Sequence, residues 1–290
     1  MVNCKDVIME NIPIRYINTA PQQSGFAESF QIRDLRDMLA GKDMIQDLHR
    51  HDFFYVLALQ QGAGNHAIDF TAYDVKDHVI FFIRPGQVHA LTLKAGSTGY
   101  MMAFKADGND QAFHQLLRKV GHTNYYPGDA ARFDKLHAML AAIFQEQADQ
   151  EEGYQPAIKA YLDIFFIALA RQQQHNALHP VHTYAESQLE AFNALLDTHI
   201  ATHKQVAAYA ALLHLSAYQL NAITKATRGK TCSALINEHI ILEAKRYLLA
   251  TPDQVNQIAW HLGYEDVSYF IRFFKKHTGH TPEAFRHNFR

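Results

Sequence analysis

The feature that most constrains this chain is a near-repeat hidden in its last third. Lys225, Gly229 and Thr231 recur 50 residues later as Lys275, Gly279 and Thr281. Leu220 and Ile223 correspond to Phe270 and Phe273, and Ser216 to Asp266. Upstream the offset is 49, pairing Ala210 with Ala259, Leu213 with Leu262 and His214 with Gly263, so the second copy has one extra residue in its turn. Two copies are too few for a solenoid. They point to a duplicated supersecondary unit.

Each copy has the chemistry of a helix-turn-helix. A first helix is expected to end near Leu213 or Leu262, with small Ala210 or Ala259 letting a second helix cross closely. Gly263 suits a left-handed turn position at no Cβ cost. His214 is its non-glycine counterpart, and His is among the residues enriched at positive φ. Ser216 and Asp266 are good N-caps, and Gly229 and Gly279 suit the C-caps of the second helices. Between the copies, residues 233–250 read as one long helix with Ile236, Ile240, Ala244 and Leu248 in register.

The rest of the chain changes period twice. Residues 26–105 hold short apolar runs at 53–59, 66–70, 78–83 and 99–104, separated by Gly, Pro, Asp and Lys turn signals. Such spacing predicts an all-β barrel or jelly roll. From about 110 the spacing turns helical, with Phe113, Leu116, Leu117 and Val120, then Phe133, Leu136, Leu140 and Ile143, then Ile158, Leu162, Phe165 and Leu169. The polar stretch around Pro180 is the expected linker. The expected architecture is an α+β multidomain chain. Residues 1–175 form an N-terminal β-barrel with appended helices, 176–187 the linker, and 188–290 an all-α domain of two helix-turn-helix units.

Composition excludes more than it selects. The hydrophobic fraction is 48% and the charged fraction 19%, which is ordinary globular chemistry. Two cysteines, Cys4 and Cys232, cannot make a disulfide-dense scaffold or an unaided multi-cysteine zinc site. The formal charge is −2. Residues 186–290 carry 11 Lys and Arg against 9 Asp and Glu, and 1–185 carry 16 against 20. A polyanion is therefore expected on the C-terminal side. The first residues lack a signal-peptide core and no apolar run is long enough to span a bilayer, so a cytoplasmic location without membrane attachment is expected. No catalytic triad, Walker loop or dinucleotide fingerprint is visible, so the chain is not expected to be an enzyme.

The segment EAKRYLLATPDQVNQIAWHLGYEDVSYFIRFFKKHTGHTPEAFR (243–286) resembles the signature region of AraC/XylS-type transcriptional regulators. The resemblance covers about 190–290. It implies two helix-turn-helix units joined by a rigid helix, each placing its second helix in a major groove of double-stranded promoter DNA. On that footing the expected base contacts are Tyr218 and Asn221 in the first unit and Val267, Ser268 and Arg272 in the second. The family pattern often has arginine where this chain has Ala222. Lys225, Arg228, Lys230, Lys275 and Lys276 are the expected backbone contacts.

The segment from His49 to Leu91 resembles the cupin-like effector and dimerisation domain of the same regulators. His49 and His51 are two apart on an expected strand and therefore share a face. His89 resembles the histidine of the second cupin motif. His49, His51, Tyr55, His66, Arg84 and His89 are the expected lining of a small-molecule effector pocket. The glutamate usual after the first histidine pair is missing, with Asp52 and Tyr55 nearby instead, so no metal or other cofactor is expected. The alternative reading is a metal-dependent cupin enzyme or metal sensor using His49, His51 and His89. The helices at 110–172 match dimerisation helices in position, and the stripe Phe133, Leu136, Leu140 and Ile143 is long enough to pair with a twin. A homodimeric activator would also meet RNA polymerase.

Overall fold

The apolar runs of the first third are strands in the computed structural model, which describes residues 14–15, 17, 29–106, 110–176 and 184–289. The expected linker lies largely outside the described residues, at 177–183. Two compact units, Ile14–Ala194 and Leu195–Arg290, make up this part of the chain.

The first unit contains β1 (Ile14–Arg15), β2 (Phe30–Asp34), β3 (Met44–His51), β4 (Phe54–Gln61), β5 (Gly64–Ile68), β6 (Thr71–Val75), β7 (Val79–Ile83), β8 (Val88–Leu93), β9 (Thr98–Phe104) and β10 (Tyr125–Pro127). They form two five-stranded sheets, ordered β1-β3-β8-β5-β6 and β10-β7-β4-β9-β2. All pairings are antiparallel except that of β1 with β3. The β-barrel expected here is thus a pair of open, facing sheets.

The continuous apolar runs in β4 and β7 follow from burial on both faces. Alternate residues point to opposite sides of a strand. Tyr55, Leu57, Phe81 and Ile83 face the other sheet, with Leu91 and Leu93. Val56, Ala58, Ile80 and Phe82 face the helices. Two elements depart from the expected pattern. Helix α1 (Leu35–Leu39) interrupts the strand region, N-capped by Asp34. Strand β10 interrupts the helical region, pairing Tyr126 with Ile80 at the sheet edge.

Helices α2 (Gln111–Val120), α3 (Ala130–Asp149) and α4 (Tyr154–Asn176) match the three expected by periodicity. Their apolar faces meet one sheet. Phe133, Leu136, Leu140 and Ile143 are all buried in that core. The stripe offered as a pairing surface is therefore consumed inside its own domain, because the outer face of β4 and β7 needs an apolar cover. On α4 it is Ile164 and Ile167 that stay exposed.

Helix α5 (Tyr184–His199) contains the division between the units. The second unit continues with α6 (Val206–Leu212), α7 (Ala217–Arg228), α8 (Cys232–Ala250), α9 (Val255–His261), α10 (Val267–Thr278) and α11 (Pro282–Phe289). The near-repeat is a repeat of backbone bonds. In the first turn Leu215 N–H donates to Ala210 C=O at 2.8 Å, and in the second Tyr264 N–H donates to Ala259 C=O at 2.8 Å. His214 and Gly263 both have positive φ, 54° and 72°. Gly229 and Gly279 are left-handed C-caps. The recurring Thr after each begins the next helix, with Thr231 accepting from Ala234 N–H and Thr281 from Ala284 N–H. Leu220, Phe270 and Phe274 are fully buried beneath these helices, while Phe273 is only half-buried. Each such burial contributes about 1.5–3 kcal/mol. Among the described residues, no helix is long and apolar enough to cross a membrane.

Candidate functional site

Helices α7 and α10 each present a polar, solvent-facing start. Ser216 caps α7 through a reciprocal capping box with Gln219. Asp266 caps α10 by accepting from Ser268 and Tyr269 N–H at 2.8 and 3.1 Å. Apolar residues on the inner face fix the rotation of each helix. Tyr218 is left 84% exposed, and Ser268 and Arg272 are exposed together on α10. Arg272 is four residues beyond Ser268, so the two share a face. The Arg272 guanidinium lies 3.8 Å from Asp266, a loose and exposed pair that a better partner can displace.

The other expected residues divide. Val267 is half-buried. Asn221 is also half-buried, and its amide is engaged on both sides. Its Oδ1 accepts from Cys232 N–H at 3.0 Å and its Nδ2 donates to Ala217 C=O at 3.0 Å, tying α7 to the start of α8. Lys225, Arg228, Lys275 and Lys276 are exposed near the ends of the two helices. Lys230 is exposed and pairs with Glu238 at 2.8 Å. Sequence reasoning did not single out two exposed aromatic side chains, Tyr269 on α10 and Trp260 on α9. The signal for the second was its being the chain's single tryptophan.

The second cluster lies between the sheets of the first unit. Strand β3 turns His49 and His51 inward together, as their spacing predicts, and β8 and β5 bring His89 and His66 to the same place. All four imidazoles are buried. His51 Nε2 is 2.6 Å from His89 Nε2, and His66 Nε2 is 2.9 Å from His89 Nδ1. The His49 ring centroid lies 4.2 Å from that of His89. Tyr55 on β4 stacks on His51 at 5.3 Å. Burial, more than any charge, disfavours protonation of these rings. It holds His49 at about 4, His51 and His66 at about 3, and His89 well below its ordinary value. Burial likewise raises the Tyr55 hydroxyl, which keeps its proton.

Five of the six expected pocket residues therefore meet. Arg84 follows β7 and packs along Gly121 at the end of α2. Asp52, the nearest acidic residue in sequence to the histidine pair, is drawn to the surface by Lys105 at 2.7 Å. The position of His89 rests on a bracket that sequence reasoning missed. Buried Gln87 donates to Asp69 Oδ2 at 2.6 Å, and its Oε1 accepts from Arg84 N–H and Asn124 Nδ2. Leu57, Phe81, Leu91 and Leu93 are among the buried apolar residues of the core that these strands share. A surface pocket of about 300 Å³, lined by Arg36, Gln60, Gln61, Asp77, His78 and Thr98, includes none of the expected residues.

Comparison with known proteins matches both units. Residues 209–288 match the helix-turn-helix domain family, and residues 38–166 match the AraC-like ligand binding domain family. The HTH-type transcriptional activator RhaS of Pectobacterium atrosepticum is 24% identical over 249 residues, covering 82% of this chain and 87% of RhaS. Among solved structures, unsaturated fatty acid bound ToxT from Vibrio cholerae aligns with 94% of this chain and 96% of its own at 14% identity and a TM-score of 0.44. The DNA-binding domain of AdpA in complex with a target DNA aligns with 36% of this chain and 92% of its own, at 20% identity and a TM-score of 0.33.

Proposed function

Because the chain belongs to the AraC/XylS family of DNA-binding transcriptional regulators and carries that family's N-terminal ligand-binding domain, we propose how its own residues divide that work. The helix-turn-helix copies read adjacent major grooves of one duplex face. In the second copy Arg272, with Ser268 and Val267 beside it, reads base edges. Arginine is bidentate to guanine O6 and N7, worth about 1–3 kcal/mol of discrimination. In the first copy Tyr218 makes the leading contact. Asn221 reads a base only by giving up its bonds to Ala217 and Cys232. Lys225, Arg228, Lys230, Lys275 and Lys276 hold phosphates and set register.

The N-terminal domain, residues 1–175, senses a small ligand through the cluster of His49, His51, Tyr55, His66 and His89. Binding there shifts the population of states, across the 176–187 linker, in which domain 188–290 presents both helices to DNA. The chain works as a homodimeric activator in the cytoplasm, recruiting RNA polymerase, and is not an enzyme. The exposed residues Ile164 and Ile167 on α4 support the dimer reading, since the stripe on α3 is already covered.

The observation that carries the DNA reading is the repeated frame. Two helices with matched turns, caps and buried faces both leave their opening residues in solvent. Selection of bound duplexes from a random pool tests it. The expected result is a motif with two elements about one helical turn apart, one of them guanine-containing and lost with Arg272→Ala. A pool that shows no enrichment, or a motif unchanged by that substitution, overturns the assignment.

A further inference from the structure

The histidine cluster is hydrogen-bonded in part and leaves an inward nitrogen without a partner. His49 Nδ1 lies 2.7 Å from the Asp47 carbonyl oxygen. A carbonyl only accepts, so His49 carries its hydrogen on Nδ1 and points a bare Nε2 lone pair into the protein. That atom is buried and has no hydrogen-bond partner. A buried acceptor left without a donor is destabilising. His89 is oriented in the matching way, with Nδ1 facing outward to His66 Nε2 at 2.9 Å and Nε2 facing inward to His51 Nε2. The donor nitrogens of His49, His51 and His89 all lie within 4.8 Å of one another.

We propose that His49, His51 and His89 bind one divalent first-row transition-metal cation through Nε2, with His66 behind His89 as its hydrogen-bonding support. Imidazole nitrogens suit zinc and its neighbours, and a three-histidine set leaves a fourth position open. A metal-bound histidine commonly gives its other nitrogen to a carbonyl or another polar group. Asp47 C=O and His66 supply those partners for His49 and His89. The missing glutamate, which argued against a metal in the sequence, is no obstacle to a three-imidazole site. Leu57, Phe81, Leu91 and Leu93 are buried in the same core as the cluster's strands. Arg15 and Asp47 act on His49 with opposite charge, and both are exposed. The proposal names a ligand class for the sensing role given above and rests on that role only for its regulatory consequence.

The test uses the full chain, purified without chelator, with metal content measured by mass spectrometry and Zn²⁺ and Co²⁺ titrated into chelator-stripped protein. The expected result is about one ion per chain, with Co²⁺ giving visible ligand-field absorption. His51→Gln and His89→Gln should abolish both while keeping the far-ultraviolet circular dichroism. His66→Gln should keep the ion with affinity weakened roughly 10–100-fold. If a substitution unfolds the chain, the wild-type protein decides alone, because Co²⁺ must paramagnetically shift the resonances of three buried imidazoles. Failure to hold either ion against a weak chelator, or equal binding by folded His51→Gln and His89→Gln, overturns the proposal. Metal content is read without DNA, so a chain that binds metal and no DNA would count against the regulatory reading and leave the metal site standing.

Discussion

The two helix-turn-helix copies share a frame and differ in what they expose. In both, the turn closes with the same 2.8 Å bond from the residue after the positive-φ position to an alanine carbonyl. In both, a left-handed glycine ends the second helix. The outer faces have diverged. Positions 218 and 222 are Tyr and Ala in the first copy, and their counterparts 268 and 272 are Ser and Arg in the second. The inner surroundings of the turn have diverged as well. His214 is exposed, whereas a Cβ on Gly263 would sit 1.6 Å from the Ala201 carbonyl oxygen. Caps and turns are set by backbone geometry that any helix-turn-helix needs. The exposed residues are free of that constraint, and the proposed reading makes the second copy, which carries Arg272, the stronger base reader and the first the weaker one.

The largest expected effect tests the turn difference. Gly263→Ala should destabilise the C-terminal unit by about 3 kcal/mol or more, from backbone overlap added to strain at positive φ. His214→Gly should change stability by less than about 1 kcal/mol. Denaturant melts of the two variants check this, and equal effects would break the comparison. Next comes base reading. Arg272→Ala should weaken specific binding by about 1–3 kcal/mol and leave non-specific binding almost unchanged, while Tyr218→Ala should cost about 1 kcal/mol. Titrations against a selected site and a scrambled duplex separate the two. Removing the first copy's cap, Ser216→Ala, should cost about 1 kcal/mol of unfolding free energy. The smallest effect concerns phosphate contacts. Lys225→Ala and Lys275→Ala should each lower the slope of log affinity against log salt by about 1, equally for specific and scrambled DNA.

The frame was readable in the sequence because caps and turns use few residue types. Ser216, Asp266, Gly229 and Gly279 each hold the position their chemistry suggests. The helices of the first unit were readable from period alone. The partner of each apolar face was not, which is why Phe133, Leu136, Leu140 and Ile143 suggested a twin and instead meet their own sheet. Short elements such as α1 and β10 escaped because five and three residues carry too little pattern. In the histidine cluster, spacing placed His49 and His51 on one face. The meeting of His66 with His89 depends on the pairing of β5 with β8, and the bare Nε2 of His49 depends on a backbone carbonyl two residues away. Neither has a signature in residue order. Asn221 shows the same limit, since its type fits a base contact and its observed bonds are internal.

The central claim is that both copies engage DNA, on adjacent grooves about 34 Å apart. The 19-residue helix α8 between them is about 28 Å long, a stiff spacer of suitable scale. Hydroxyl-radical footprinting of the full chain on a selected site tests this most directly. The account predicts two protected patches on one face of the duplex, about one turn apart, with Arg272→Ala erasing one and Tyr218→Ala thinning the other. A single patch, or two patches that both survive the loss of Arg272, would contradict it.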